Sequence, residues 1–164
     1  MASHRVERGR SKARSQALQL MFQAEAQQLS VEKVLDGDYL LSTGPLEAYA
    51  ETLARGCWEA RVRIDAALRA VSENWTLERM PGADRNLLRL AVYELRFLEN
   101  ADRLDDAVVI NEAVELAKAY GTDESSRFVN GILGKVAGAI QLEDLWHADA
   151  VDEATPLNKD DIHE

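Results

Sequence analysis

The sequence predicts an all-α protein, a bundle of about seven helices. Three observations carry this. Only three prolines and nine glycines interrupt 164 residues, and helix-favouring Ala, Leu, Glu and Arg dominate the remainder. Apolar residues recur three and four apart through most of the chain. Nowhere does a sustained alternation of apolar and polar residues mark a strand, and no repeat of roughly 20 to 50 residues is visible.

The elements follow in order. Ser11 is placed to cap a first helix running to about Gln28, with Ala13, Ala17, Leu20, Met21 and Ala24 on its inner face. Ser30 is placed to cap a short second helix through Val31, Val34 and Leu35, ended by Gly37. "STGP" at 42–45 is a loop whose proline suits the first turn of the next helix. Helical spacing then runs from Leu46 to about Val71, long enough to predict a kink or break between Gly56 and Arg61.

Pro81 and Gly82 interrupt the pattern, and Asp84 stands at the opening of "RNLLRLAVYELRFL". Leu87, Leu88, Ala91, Val92, Leu95 and Leu98 give that helix a broad apolar stripe and make it the central one. "ENADRLDDA" is a connector. In "VVINEAVELAKAYG", Ile110, Ala113, Val114 and Ala117 are expected to face inward, with Gly121 as the C-terminal cap. "TDESS" supplies capping residues for a last helix carrying Phe128, Val129, Ile132, Leu133 and Val136.

That last helix contains Gly131 and Gly134, each costing about 1 kcal/mol relative to alanine in a helix interior. The expectation is that the glycines let another helix approach closely, while Asn130 hydrogen-bonds a neighbouring loop.

Charge divides the chain. Residues 1–14 hold Arg5, Arg8, Arg10, Lys12 and Arg14 against Glu7, whereas residues 143–164 hold eight acids against one lysine. The net charge is −10. A basic arm on an acidic body points either to a polyanion touched at one place or to a solvated terminus. Residues 1–142 therefore read as one helical domain with a basic arm over 1–14, and 143–164 as an acidic, disordered tail.

Apolar runs are far shorter than the ~20 residues needed to span a bilayer. Cys57 is the single cysteine, and no secretory signal is visible, so a cytoplasmic protein is expected. His4, His147 and His163 lie near the termini, and no Cys/His ligand cluster occurs, so no metal or other cofactor is expected. "GILGKV" lacks the glycine spacing and the Ser/Thr of a phosphate loop. Asp105, Asp106, Glu112 and Glu115 have no base or nucleophile beside them, so they read as a solvated surface. Catalysis is unsupported, and recognition is what remains.

Four stretches carry a resemblance: "GRSKARSQALQLMFQAE", "ADRNLLRLAVYEL", "VVINEAVELAKAYG" and "SSRFVNGILGKVA". In order and spacing they resemble the NusB family of bacterial transcription antitermination factors, across the chain to about residue 140. The resemblance implies an all-helical bundle of two packed subdomains and a non-catalytic RNA-binding adaptor. Such adaptors join the ribosomal protein NusE on the boxA element of rRNA leader transcripts. With RNA polymerase and other Nus factors, they keep transcription going through terminators. By position it places Arg10, Lys12 and Arg14 on RNA phosphates, with Arg5 and Arg8 reinforcing them.

Asp123, Glu124, Ser125, Ser126, Arg127 and Phe128 would form a neighbouring RNA surface, a joint cradle with the arm. Within it, Asp123 and Glu124 either meet base edges or cap the helix, and Phe128 either stacks on a base or packs in the core. Phe22 and Asp84 would meet NusE, Asp84 being alternatively an N-cap. Two other readings remain: a homodimeric interaction protein independent of RNA, and the RNA-binding domain of an rRNA cytosine methyltransferase.

Overall fold

The structure, a computed structural model, describes residues 2–72, 75–98 and 104–138, with side chains from residue 10 onward. The side chains of Arg5 and Arg8, and the acidic segment 143–164, lie outside the described residues. Among the described residues there are seven α-helices and one 3-10 turn: α1 (Ala2–Gln27), α2 (Val31–Asp36), α3 (Ala48–Glu59), α4 (Arg61–Val71), the turn Leu77–Arg79, α5 (Gly82–Arg96), α6 (Asp106–Tyr120) and α7 (Asp123–Gly138). The all-α expectation holds.

The apolar stripe of α5 places it at the centre, in contact with α1, α3, α4, α6 and α7. Helices α1, α2 and α3 pack together on one side of it, and α4, α6 and α7 on the other. These are the two halves, and α5 is common to both.

Several boundaries differ from those the sequence suggests. Helix α1 begins at Ala2, so Ser11 does not cap it; the Ser11 hydroxyl instead donates to Glu112 on α6 at 2.7 Å. Ser30 does cap α2, accepting from the Lys33 amide at 3.2 Å. Pro45 stays in the loop ahead of α3, where its carbonyl accepts from Gln16 Nε2 at 2.9 Å. The long helical stretch breaks at Ala60, as its length suggested. On α6 the buried residues are Val109, Ala113 and Ala117, while Ile110 and Val114 are only half-buried.

Close helix approach occurs, but at a different glycine from those expected. A Cβ on Gly56 would overlap the Tyr93 phenol of α5, so α3 seats against α5 only because that side chain is missing. Gly131 and Gly134 are exposed, and a Cβ on either would meet nothing within 4 Å. They serve no helix packing.

Helix α1 is bound to α5 by charges as well as by apolar contact. The Arg14 guanidinium donates twice to Glu94, at 2.7 and 2.9 Å, and sits 3.4 Å from Glu112. Tyr49 of α3 donates to the same Glu94 at 3.2 Å. About three turns further along α1, Glu25 accepts from both Arg85 and Arg89 of α5. Arg89 also makes two bonds to Asp65 of α4, at 2.8 and 2.9 Å. These charges lie on helix faces that are otherwise apolar, and such groups are retained inside only when paired.

Arg14 is 3% exposed. Removing one partner of a buried pair leaves the other charged and unsolvated. Arg14→Ala is therefore expected to lower unfolding free energy in urea by ~3–5 kcal/mol, with much of it recovered in Arg14→Ala/Glu94→Ala. Parent-like unfolding of the single variant would contradict a buried constraint.

Burial by itself would raise the Glu25 carboxyl, but hydrogen bonds from Arg85 and Arg89 outweigh it and hold the group below its ordinary value of 4.5. A depressed carboxylate contributes stability above its unfolded pKa and loses it as pH falls through the lower folded value. Glu25→Gln should thus be less stable at neutral pH and lose less on acidification below that value. Parallel curves of Tm against pH for variant and parent would exclude this linkage.

Candidate nucleic-acid interface

The cationic start of α1 lies beside α3. Arg10 places its guanidinium 4.8 Å from the centre of the Tyr49 ring, a cation–π distance. Lys12 is part-exposed and 3.4 Å from Glu47, in a surface pair of the kind that contributes little. Arg14 departs from the expected role: its fork is committed to Glu94 in the interior and offers no phosphate contact. What remains at the surface is Arg10 and Lys12, with the helical backbone continuing back through Arg5 and Arg8.

The start of α7 is built by local hydrogen bonding. The Thr122 hydroxyl accepts from the Ser125 amide at 3.2 Å, and Ser125 Oγ accepts from the Thr122 amide at 3.1 Å. This reciprocal arrangement satisfies two amides at once. Thr122 is thus the capping residue, and Asp123 and Glu124 stay exposed in the first turn, where their charge suits the helix dipole. Gly121 makes the turn possible, since a Cβ there would lie 2.6 Å from Ser125 Oγ.

Ser125 then donates to Asp84 on α5 at 3.1 Å. Both side chains are buried, which corrects two expectations. Ser125 turns its hydroxyl inward rather than toward a ligand. Asp84 neither caps α5, which Pro81 precedes, nor stands on an open partner surface. Its carboxylate fixes the tip of α7 to the start of α5. Ser126 donates to the Asp123 carbonyl at 2.9 Å, and Arg127 is exposed.

Phe128 is half-buried, with its ring 5.4 Å from that of Trp75 and tilted by 57°. Trp75 is 56% exposed. The pair separates two recesses. One, of about 240 Å³, has Met80, Pro81, Asp84 and Glu124 in its wall; the other, of about 210 Å³, has Arg127, Gly131 and Lys135. On the far side of Arg127, a groove of about 460 Å³ runs between α6 and α7, lined by Ile110, Asn111, Val114, Ser126 and Asn130. Asn130 faces this groove rather than a neighbouring loop.

No sequence pattern singles out Trp75. It lies in a connector, where helical periodicity assigns no face; a large aromatic outside any apolar stripe was the available signal.

Arm and tip do not form one continuous cradle. Ser125 is tied to Asp84 at the start of α5, whereas Arg14 is tied to Glu94 ten residues further on. At 1.5 Å per residue, the two places are about 15 Å apart along that helix. Tyr120, at the end of α6, links them by hydrogen-bonding Ser15 and Gln19 of α1. Phe22, 48% exposed, sits toward the α7 end, 3.1 Å from where a Cβ on Gly82 would lie.

Among the described residues, no group of His, Cys, Asp and Glu is arranged to hold a metal ion, and no helix is long and apolar enough to cross a membrane.

Comparison with known proteins identifies a family. The sequence profile of the NusB family matches residues 11–138. The transcription antitermination protein NusB of Nocardioides sp. is 44% identical over 127 residues, covering 77% of this chain and 92% of that one. The structure of T. maritima NusB is similar with a TM-score of 0.65 at 37% identity, over 78% of this chain and 89% of that chain. A chain in the crystal structure of antitermination factors NusB and NusE in complex with dsRNA shares the fold, with a TM-score of 0.64 at 23% identity over 79% and 96% of the two chains. The family match runs from Ser11 on α1 to the end of α7, and the chain belongs to the NusB family.

Proposed function

We propose that this chain is a non-catalytic RNA-binding adaptor in transcription antitermination, acting in the cytoplasm. It holds boxA-type single-stranded leader RNA together with ribosomal protein NusE, in a complex with RNA polymerase and other Nus factors. The observation that carries this reading is the Trp75–Phe128 pair with Arg127 and Lys135 beside it. An exposed Trp75 ring and a half-buried Phe128 ring at a wall between two recesses offer faces for unstacked bases, and adjacent cations offer partners for phosphates. Gly131 adds no side chain to that recess, which gives the glycine a use that helix packing did not.

Support also comes from the relatives, which are named transcription antitermination proteins, and from a structural neighbour solved with NusE and RNA. Phe22, exposed beside the start of α5, is the apolar contact offered to NusE. Arg10 and Lys12 supply a second, electrostatic station whose strength depends on salt.

The two stations have separable signatures. Arg10→Ala/Lys12→Ala should weaken binding of a boxA oligonucleotide and reduce the slope of log affinity against log salt by roughly one to two. An unchanged slope across a salt series would remove the cationic start of α1 from the interface.

Trp75→Ala and Phe128→Ala should each cost ~1–3 kcal/mol of RNA affinity, with the salt slope preserved. Thermal melting is the control. Full RNA affinity with a lowered Tm for Phe128→Ala would make that ring a core residue only.

A further inference from the structure

The groove of about 460 Å³ between α6 and α7 belongs to neither station. Helical spacing builds it. Ile110, Asn111 and Val114 share one face of α6, and Ser126, Arg127 and Asn130 of α7 stand opposite. Ile110 and Val114 are half-buried, whereas Asn111 and Asn130 are exposed. Among the described residues, neither side-chain amide has a hydrogen-bond partner.

An apolar floor between two primary amides suits a particular occupant. A nucleobase has apolar faces and an edge that carries donors and acceptors, and a side-chain amide presents both to such an edge. An apolar side chain would cover the floor and leave both amides unanswered. A bare phosphate would find one cation in the wall, Arg127.

Arg127 also borders the recess beside Phe128, so groove and recess share a wall. Lys135 follows about two turns along α7. On a chain of net charge −10, Arg14, Arg85, Arg89 and Arg96 each meet a carboxylate. Among the described residues, Arg127 and Lys135 make no ion pair, which leaves their charge to a ligand. Phe128 and Ser126 point to opposite sides of α7, about 10 Å apart across the helix. The surface between them is low, since Gly131 and Gly134 are exposed with nothing within 4 Å of a Cβ on either.

We propose that the α6–α7 groove is a second base site for the RNA strand that meets Trp75 and Phe128. Asn111 and Asn130 read the edge of an unstacked base, Ile110 and Val114 support its face, and the strand crosses α7 at Arg127. This assignment rests on the function proposed above and gives it a means of telling one base from another.

The first test changes each position of a boxA oligonucleotide in turn to the other three bases. The parent should discriminate about tenfold at one position where Asn111→Ala/Asn130→Ala binds all four bases alike, with the salt slope unchanged. A variant that keeps every preference of the parent overturns the site. Gly131→Gln/Gly134→Gln is the second test. Helix propensity favours both changes, so Tm should rise while RNA affinity falls. Parent-like RNA affinity in that variant overturns the crossing.

The third test is independent of the oligonucleotide. Side-chain amide resonances of Asn111 and Asn130 should shift on titration with adenosine monophosphate and stay in place with ribose phosphate. That result in a protein that does not bind boxA RNA supports the groove and overturns the functional reading alone. No shift with adenosine monophosphate or with bound oligonucleotide overturns the groove. Shifts caused by NusE and by neither nucleotide ligand make it a protein interface, and also overturn it.

Discussion

The pairing of Arg14 with Glu94 is the constraint on which the rest of this structure depends. It joins α1 to α5 at positions 80 residues apart in the chain, inside the core, with Tyr49 of α3 and Glu112 of α6 meeting the same charges. Once α1 is registered there, Glu25 falls opposite Arg85 and Arg89, and Phe22 falls at the start of α5. A buried ion pair of this kind is a poor source of net stability, because an apolar pair of equal volume can do as well. Its effect is on register: any other sliding position of α1 would strand a charge in the interior.

The same constraint sorts the cations of α1 into two kinds. Arg14 is structural, and Arg10 and Lys12, four and two residues earlier, stay part-exposed at the surface. At the other end of α5, the Ser125–Asp84 bond sets the tip of α7 and so aims Phe128 at Trp75. A rigid helix about 15 Å long between those attachments keeps the cationic surface of α1 and the Trp75–Phe128 pair at a set separation. In the function proposed, long-range attraction and short-range stacking are different physical interactions that one RNA strand uses together.

Glycine usage shows how sequence spacing and packing diverge. Gly131 and Gly134 weaken α7 at positions with open space above them, while the close approach belongs to Gly56 against Tyr93. Gly121 admits the Ser125 side chain at the turn into α7. The cost of a helical glycine is the same in each place, so cost alone does not tell an open wall from a tight crossing.

Sequence by itself determined the number of helices, the break near residue 60, the capping of α2 by Ser30 and the central place of α5. These follow from spacing and capping within a few residues, and the apolar stripe of α5 names its inner face without help from the rest of the chain. It also determined where charge accumulates. Tertiary structure decided which charges are used outside: Arg14, Asp84 and Ser125 looked available, and each is taken up by a partner at least 41 residues away. It likewise decided that Trp75, in a connector with no periodicity, meets Phe128. Local pattern assigns a face to a residue, but only the packing of distant helices determines whether that face is already occupied.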